Sequence, residues 1–246
     1  AIRFGFGAGV DRILQDPDLP DVPIARMRDE GLTQGMVEFV LARTLHYHRL
    51  MPAYEEQQRQ RVWRPLIAPL ARDRTVGVLG LGQLGAACAT NLAANGFKVR
   101  GWSRTPKDLP GVEAFDGPLE TFLAPCEVVV CLLPLTPATR GILNAGTLSH
   151  LSGASLISVG RGAHLVEADL IPALDAGHLA HATLDVFAIE PLPAAHPFWS
   201  DPRITVTPHA SALTPPQTAG PTIVANIRRH LAGQDLQDLV DRAAGY

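Results

Sequence analysis

The run Val76-Gly77-Val78-Leu79-Gly80-Leu81-Gly82-Gln83-Leu84-Gly85 constrains the fold more than any other stretch of the chain. An apolar strand-like segment delivers three glycines at G-x-G-x-x-G spacing to the helix-forming residues Ala86, Ala87, Ala89 and Leu92. Each glycine then has a task. Gly80 permits a tight turn, Gly82 lets backbone approach a pyrophosphate, and Gly85 allows helix and strand to pack closely. The first turn of that helix, at Gln83 and Leu84, presents backbone N–H groups to an anion. The context favours a dinucleotide site over a tight turn without a ligand.

The rest of the chain follows the same grammar. Beyond Pro69, strands are predicted at 75–79, 98–102, 112–115, 127–132, 155–159, 181–186 and 204–207, separated mostly by segments of crossover length. This alternation predicts an α/β Rossmann fold, a doubly wound parallel sheet that receives ligands at the carboxyl ends of its strands. Upstream, Met36, Val37, Val40, Leu41 and Leu45 recur at helical spacing, which predicts a helix over 33–50 that buries one stripe. Residues 54–64 are rich in Gln and Arg and end in Trp63-Arg64-Pro65. They read either as a solvated helix with a core tryptophan or as a subunit contact, where Trp and Arg are favoured. After Pro215-Pro216 a last helix is expected over 217–231. At the other end, residues 2–5 read as a strand running into the glycine turn Gly5-Phe6-Gly7-Ala8-Gly9, followed by a helical stretch over 10–14 and a short strand at Ile24. A domain seldom begins in the middle of its own sheet, so a segment upstream of Ala1 is expected. The predicted division is residues 1–29, 30–214 and 215–246, the last returning to pack with the first.

Composition excludes several function classes. With 46% hydrophobic and 18% charged residues the chain has the material for a large core, and its formal charge of -3 supplies no field for a nucleic-acid backbone. Cys88, Cys126 and Cys131 are odd in number and lack metal-ligand spacing, so no metal site is predicted and a reducing, cytoplasmic setting is expected. No apolar run is long enough for a membrane span, and no membrane partner is expected.

The second strand of the dinucleotide unit indicates which cofactor. An NAD site places Asp or Glu there to accept from the ribose hydroxyls. This strand ends Arg100-Gly101-Trp102-Ser103-Arg104-Thr105, and the first carboxylate after it is Asp108. The Arg104 guanidinium with the Ser103 hydroxyl can hold a 2′-phosphate, which makes NADP (NADPH) the expected cofactor. Arg100 or Lys107 can assist or be ordinary surface charges.

Three polar residues stand where later strands meet loops: Arg161 in Val159-Gly160-Arg161-Gly162, Glu190 in Asp185-Val186-Phe187-Ala188-Ile189-Glu190-Pro191, and His209 in Thr207-Pro208-His209. In a parallel sheet these turns share one edge with the glycine loop. A guanidinium can grip the carboxylate of a small 2-keto acid, and an imidazole can protonate the developing alkoxide. A carboxylate beside the imidazole orients it and favours its charged form. The trio Arg161, Glu190 and His209 is therefore predicted to be catalytic.

With these motifs in view, the chain resembles the D-isomer-specific 2-hydroxyacid dehydrogenases, and within them the glyoxylate/hydroxypyruvate reductase A branch. The resemblance is carried by Gly7-Ala8-Gly9-Val10-Asp11, the glycine loop, Leu133-Pro134-Leu135-Thr136-Pro137-Ala138-Thr139-Arg140-Gly141, Gly160-Arg161-Gly162, Asp185 to Pro191 and Pro208-His209. The spacing of 29 residues from Arg161 to Glu190 and 19 from there to His209 is also similar, as are Trp102-Ser103-Arg104 and the closing Val240 to Tyr246. The resemblance implies a second, smaller flavodoxin-like substrate domain, here N-terminally incomplete. It implies that Arg161 and His209, with main-chain amides at Ala8 and Gly9, receive the substrate. It also implies that Leu133, Pro134, Thr139, Val159 and Gly160 line the nicotinamide and that Asp185 holds its carboxamide. The other role open to Asp185 is that of a strand-end acid bonding local backbone. A homodimer built through roughly residues 33–72 is implied as well. Two alternatives stay open: a bulkier 2-keto acid as substrate, or a non-catalytic, dinucleotide-sensing binding protein.

Overall fold

The computed structural model describes residues 1–5, 9–14, 16–26, 28–105 and 107–242, with the side chains of residues 11 and 12 excepted. Its elements in chain order are β1 (Arg3–Phe4), α1 (Asp11–Leu14), β2 (Ile24–Ala25), α2 (Glu30–His48), α3 (Met51–Gln60), β3 (Thr75–Leu79), α4 (Gln83–Ala94), β4 (Lys98–Trp102), β5 (Val112–Phe115), α5 (Leu119–Leu123), β6 (Val128–Cys131), α6 (Ala145–Leu148), β7 (Ala154–Ser158), α7 (Glu167–Asp175), β8 (Leu179–Leu184), β9 (Ile204–Val206) and α8 (Pro216–Leu231). They form two compact units, one of residues 1–36 with 212–246 and one of 37–211. The boundary falls inside α2, whereas the sequence reading put it before that helix.

The larger unit is a seven-stranded sheet in the order β5-β4-β3-β6-β7-β8-β9, with every pair parallel. All seven strand expectations correspond to these strands to within two residues. They are legible because strands buried on both faces read as continuous apolar runs rather than as an alternation. The period of two still sorts the two faces. Leu79, Val129, Cys131, Leu156, Ala182 and Leu184 join Phe122, Leu123, Leu148 and Leu170 in the main hydrophobic cluster. Between them along the strands lie Val78, Val128, Val130, Ile157 and Thr183, all buried but outside that cluster. The Thr183 hydroxyl bonds the Tyr47 hydroxyl of α2 at 2.6 Å, which fastens that helix to β8. Every strand therefore ends at one edge of a rigid sheet, and loops at that edge are held to the precision of the core beneath them.

After α3 the chain leaves the core. Arg61 ends the helix with φ 57°, the Tyr54 hydroxyl receives the Leu66 N–H at 2.9 Å, and the stretch after Arg61 exposes Trp63 almost completely (99%) and Ile67 likewise (98%). The reading of Trp63 as a core tryptophan is thus overturned: the extended segment carries it away from α3 into solvent.

In the smaller unit β1 pairs in parallel with β2, and Ala25 bridges to Leu239 of the C-terminal tail. Asp29 caps α2 by accepting the Leu32 N–H at 3.3 Å, and its other oxygen accepts the Thr218 hydroxyl of α8. Gly31 lies so close to the start of α8 that a Cβ there would stand 2.9 Å from the Pro215 ring, so its bare backbone meets the Pro215 and Thr218 side chains. Among the described residues no helix is long and apolar enough to cross a membrane, and no group of three or more His, Cys, Asp or Glu is placed to hold a metal ion.

Candidate active site

The glycine loop sits where three strands end. Gly80 turns the chain with φ 95°, in the left-handed region that a side chain disfavours, and a Cβ there would meet Leu132 O at 2.8 Å. Its N–H donates to Trp102 O at 2.8 Å, while Leu132 N–H donates to Leu79 O at 2.8 Å, so β3, β4 and β6 converge on this turn. Gly85 presses α4 against it, because a Cβ at Gly85 would stand 1.8 Å from Gly80 O. Gly82 differs. It precedes the first residue of α4, has open space on the side where a Cβ would project, and no side chain caps the helix. Gly82 and Gln83 are exposed and Leu84 is half-buried. An uncapped helix N-terminus under open space fits the diphosphate of a dinucleotide by shape and by the sign of the helix dipole.

Ser103 and Arg104 follow β4 directly and stand at the same edge as Gly80. Arg104 is exposed, and the Ser103 hydroxyl donates to Thr105 O at 2.7 Å. Arg100 takes no part in this group. Its guanidinium pairs with Glu113 at 3.1 Å, donates to Phe122 O at 3.1 Å and covers the Phe115 ring at 4.6 Å.

The next two strand ends prolong the edge. Leu133 is buried and Pro134 exposed just beyond β6. The Thr139 hydroxyl donates to Pro134 O at 2.7 Å and accepts the Thr136 N–H at 2.8 Å, which closes that loop on itself. Val159 N–H donates to Cys131 O at 3.2 Å, and a Cβ on the adjoining Gly160 would lie 3.2 Å from Leu133 O, so the ends of β6 and β7 abut.

Arg161, Glu190 and His209 follow the neighbouring strands β7, β8 and β9. The Arg161 side chain is half-buried, and its Nη1 donates to Gly160 O at 2.8 Å. Gly162 packs directly on the loop after β8: a Cβ there would stand 1.9 Å from the Phe187 carbonyl carbon. That loop folds back so that Phe187 N–H donates to Glu190 Oε1 at 3.1 Å, leaving Oε2 3.0 Å from His209 Nδ1. A carboxylate can only accept, so with Glu190 ionised the Nδ1 atom donates and Nε2 is the nitrogen left to serve a substrate. The Glu190 side chain is 16% exposed and that of His209 47%, so the acid lies behind the imidazole and the imidazole faces outward. Asp185, just past β8, is fully buried, and its carboxylate accepts from Thr207, Ala210 and Ser211. Ala8 lies outside the described residues; Gly9 is exposed and belongs to the smaller unit.

Sequence reasoning missed the supports of this group. Gly162 stood in the Gly160-Arg161-Gly162 motif with no task assigned. Glu167, whose Oε1 accepts the Ala188 N–H at 2.8 Å and so steadies the Glu190 loop, gave no signal beyond being an acid at a helix start.

A family model described as the NAD binding domain of D-isomer specific 2-hydroxyacid dehydrogenases matches residues 41–211. The chain belongs to the D-isomer-specific 2-hydroxyacid dehydrogenase family. A glyoxylate/hydroxypyruvate reductase A of Yersinia enterocolitica is 48% identical over 99% of this chain and 80% of its own length. A 2-hydroxyacid dehydrogenase structure from Xanthobacter autotrophicus, in complex with NADPH and MES, is 50% identical with TM-score 0.96 and covers 100% of this chain and 79% of that one. An NADPH-dependent glyoxylate/hydroxypyruvate reductase structure from Sinorhizobium meliloti, with NADP and sulfate, is 43% identical with TM-score 0.96, covering 100% and 80%. For this dehydrogenase the likeness extends over the sheet, the glycine loop and the edge that carries the polar trio.

Proposed function

We propose that this chain reduces a small 2-keto acid, glyoxylate or hydroxypyruvate, to the 2-hydroxy acid with NADPH. The observation that carries the reading is the imidazole–carboxylate pair of His209 and Glu190, one strand from Arg161 on the edge that bears the open glycine loop. The names of the relatives from Yersinia enterocolitica and Sinorhizobium meliloti support the same substrates.

In this reading Gly80, Gly82, Gln83, Leu84 and Gly85 hold the diphosphate, and Ser103 with Arg104 holds the 2′-phosphate. Leu133, Pro134, Thr139, Val159 and Gly160 line the nicotinamide end. NADPH, when bound, supplies the hydride that adds to C2 of the keto acid. Arg161 grips the substrate carboxylate with forked hydrogen bonds and draws electron density toward the carbonyl oxygen. His209 holds the proton on Nε2 and gives it to that oxygen as negative charge develops there. Glu190 accepts from Nδ1 and so fixes the ring.

We place residues 37–211 as the cofactor-binding domain and the smaller unit as the substrate domain. The exposed apolar segment with Trp63 and Ile67 supports a homodimer, a solvent-facing tryptophan being what a subunit contact uses. Three buried free thiols accord with a reducing, cytoplasmic setting.

Steady-state rates across a panel of 2-keto acids, with NADPH and with NADH, test the reading. Glyoxylate and hydroxypyruvate should give the highest kcat/KM, with NADPH preferred. Removing the charged contact in Arg104→Ala should weaken NADPH by about ten- to a hundred-fold and leave NADH unchanged. Absence of turnover on every 2-keto acid rejects the enzyme, and unchanged NADPH affinity in Arg104→Ala rejects the phosphate contact.

A further inference from the structure

His164 has no exposed surface. An apolar side chain could fill such a place without burying ring nitrogens, and a polar ring is tolerated there when it is hydrogen-bonded, so its contacts state its task. The residue closes the single helical turn Gly162–His164 that follows Arg161. The Arg161 N–H donates to His164 Nδ1 at 3.1 Å, and the main-chain N–H of His164 donates to Arg161 O, also at 3.1 Å. One histidine thus holds both main-chain polar groups of Arg161. A backbone N–H can only donate, so Nδ1 carries no proton and the ring is the neutral form with its proton on Nε2. The ring lies against bare backbone: a Cβ at Gly160 would stand 3.1 Å from both Nδ1 and Cε1. On its other side His164 O accepts the Leu143 N–H at 2.9 Å and Ala163 O accepts the Gly141 N–H at 2.8 Å, which ties the turn to the segment that precedes α6.

We infer that His164 is a positioning residue for Arg161: its buried imidazole accepts the Arg161 N–H and fixes the main chain that carries the guanidinium. The inference rests on the reading of Arg161 as the group that grips the substrate carboxylate. A guanidinium stands at the end of a long side chain, so a small turn of the main chain displaces it by a larger distance. A misplacement of about 1 Å at a reacting group costs on the order of 100-fold in rate.

The two side-chain amides make the role testable. His164→Asn keeps an acceptor where Nδ1 stands, His164→Gln moves it out to the place of Nε2, and His164→Leu fills the space with none. The full chain and these variants should be compared in kcat and KM for glyoxylate, in NADPH Kd and in thermal midpoint, and His164→Leu also in an Arg161→Ala background. Hydrogen exchange at the Arg161 amide, followed by NMR, reads the contact itself. His164→Leu should lower kcat/KM on the order of 100-fold with NADPH Kd unchanged, and His164→Asn should restore most of it while His164→Gln does not. In the Arg161→Ala background His164→Leu should cost no more than about two-fold, because the group it places is already gone. Exchange at Arg161 should quicken in His164→Leu and stay near wild type in His164→Asn. A full loss retained in the Arg161→Ala background, equal activity in His164→Asn and His164→Gln, or a lowered thermal midpoint with wild-type kcat/KM each overturns the inference. A raised NADPH Kd with unchanged KM for glyoxylate overturns it too, and marks His164 as a support of Gly160 instead. Should His164→Leu not fold, the comparison of His164→Asn with His164→Gln decides. If the wild type turns over no 2-keto acid, the proposed reaction fails, while exchange at the Arg161 amide still decides whether His164 holds it.

Discussion

Gly162→Ala isolates the contact that joins the Arg161 turn to the Glu190 loop. The added methyl would stand 1.9 Å from the Phe187 carbonyl carbon, 2.1 Å from its oxygen and 2.4 Å from Ala188 N. Ordinary carbon contact lies near 3.5 Å, so the 187–188 peptide must retreat by about 1.5 Å or the Arg161 turn must yield instead. Neither neighbour is a flexible side chain that can swing aside. The Ala188 N–H is tied to Glu167 at 2.8 Å and the Phe187 N–H to Glu190 at 3.1 Å, so displacement of this peptide passes to Glu190. Overpacking of this kind costs about 1–3 kcal/mol, and for a chain of this size each kcal/mol lowers Tm by roughly 2–4 °C. The expected effect on chemistry is larger, on the order of 100-fold in kcat, because in the proposed reaction Glu190 orients the proton donor. NADPH affinity should change little, since the glycine loop belongs to β3 and α4. Steady-state kinetics, a thermal melt and NADPH titration of the purified variant measure all three. Wild-type kcat and Tm together would refute the reasoning, since they require a close contact that no backbone has to relieve.

Three further outcomes follow from the same geometry. Gly85→Ala sets a methyl 1.8 Å from Gly80 O, so α4 must shift from β3 and NADPH Kd should rise at least about ten-fold in a fluorescence titration; unchanged affinity contradicts the loop assignment. Burial holds the imidazoles of His46, His48 and His181 below their ordinary value, so the folded form favours them neutral. That contribution is complete above pH about 6.5 and is lost as pH falls through the lowered values, so Tm should drop between pH 7.5 and 5 and drop less in His181→Gln; an equal drop in variant and wild type contradicts it. Burial also pushes the thiols of Cys88, Cys126 and Cys131 up to about 12, so a thiol-specific reagent should label none of them at pH 8 until denaturant is added, and rapid native labelling contradicts their placement.

Much of the larger unit was legible in the chain because its signals are local. A parallel strand buried on both faces is a short apolar run bounded by turn residues, and a glycine needed for close approach is present or absent at one position. The cofactor loop, the missing acid after β4, and the order of Arg161, Glu190 and His209 were therefore open to inspection residue by residue. Other features were not local. Arg100 looked as available as Arg104 until Glu113, Phe115 and Phe122 were seen around it, and the exposure of Trp63 depended on where α3 ended.

By itself the sequence determined which segments become strands, where a dinucleotide can lie, and which three side chains have the chemistry for a keto acid. Tertiary structure alone decided that β7, β8 and β9 are neighbours, that Glu190 folds back onto His209, and that the Asp185 carboxylate accepts from the turn after β9. Local propensities fix a residue's own backbone, whereas pairing across strands is settled by which apolar faces can be buried together, and no single segment carries that information.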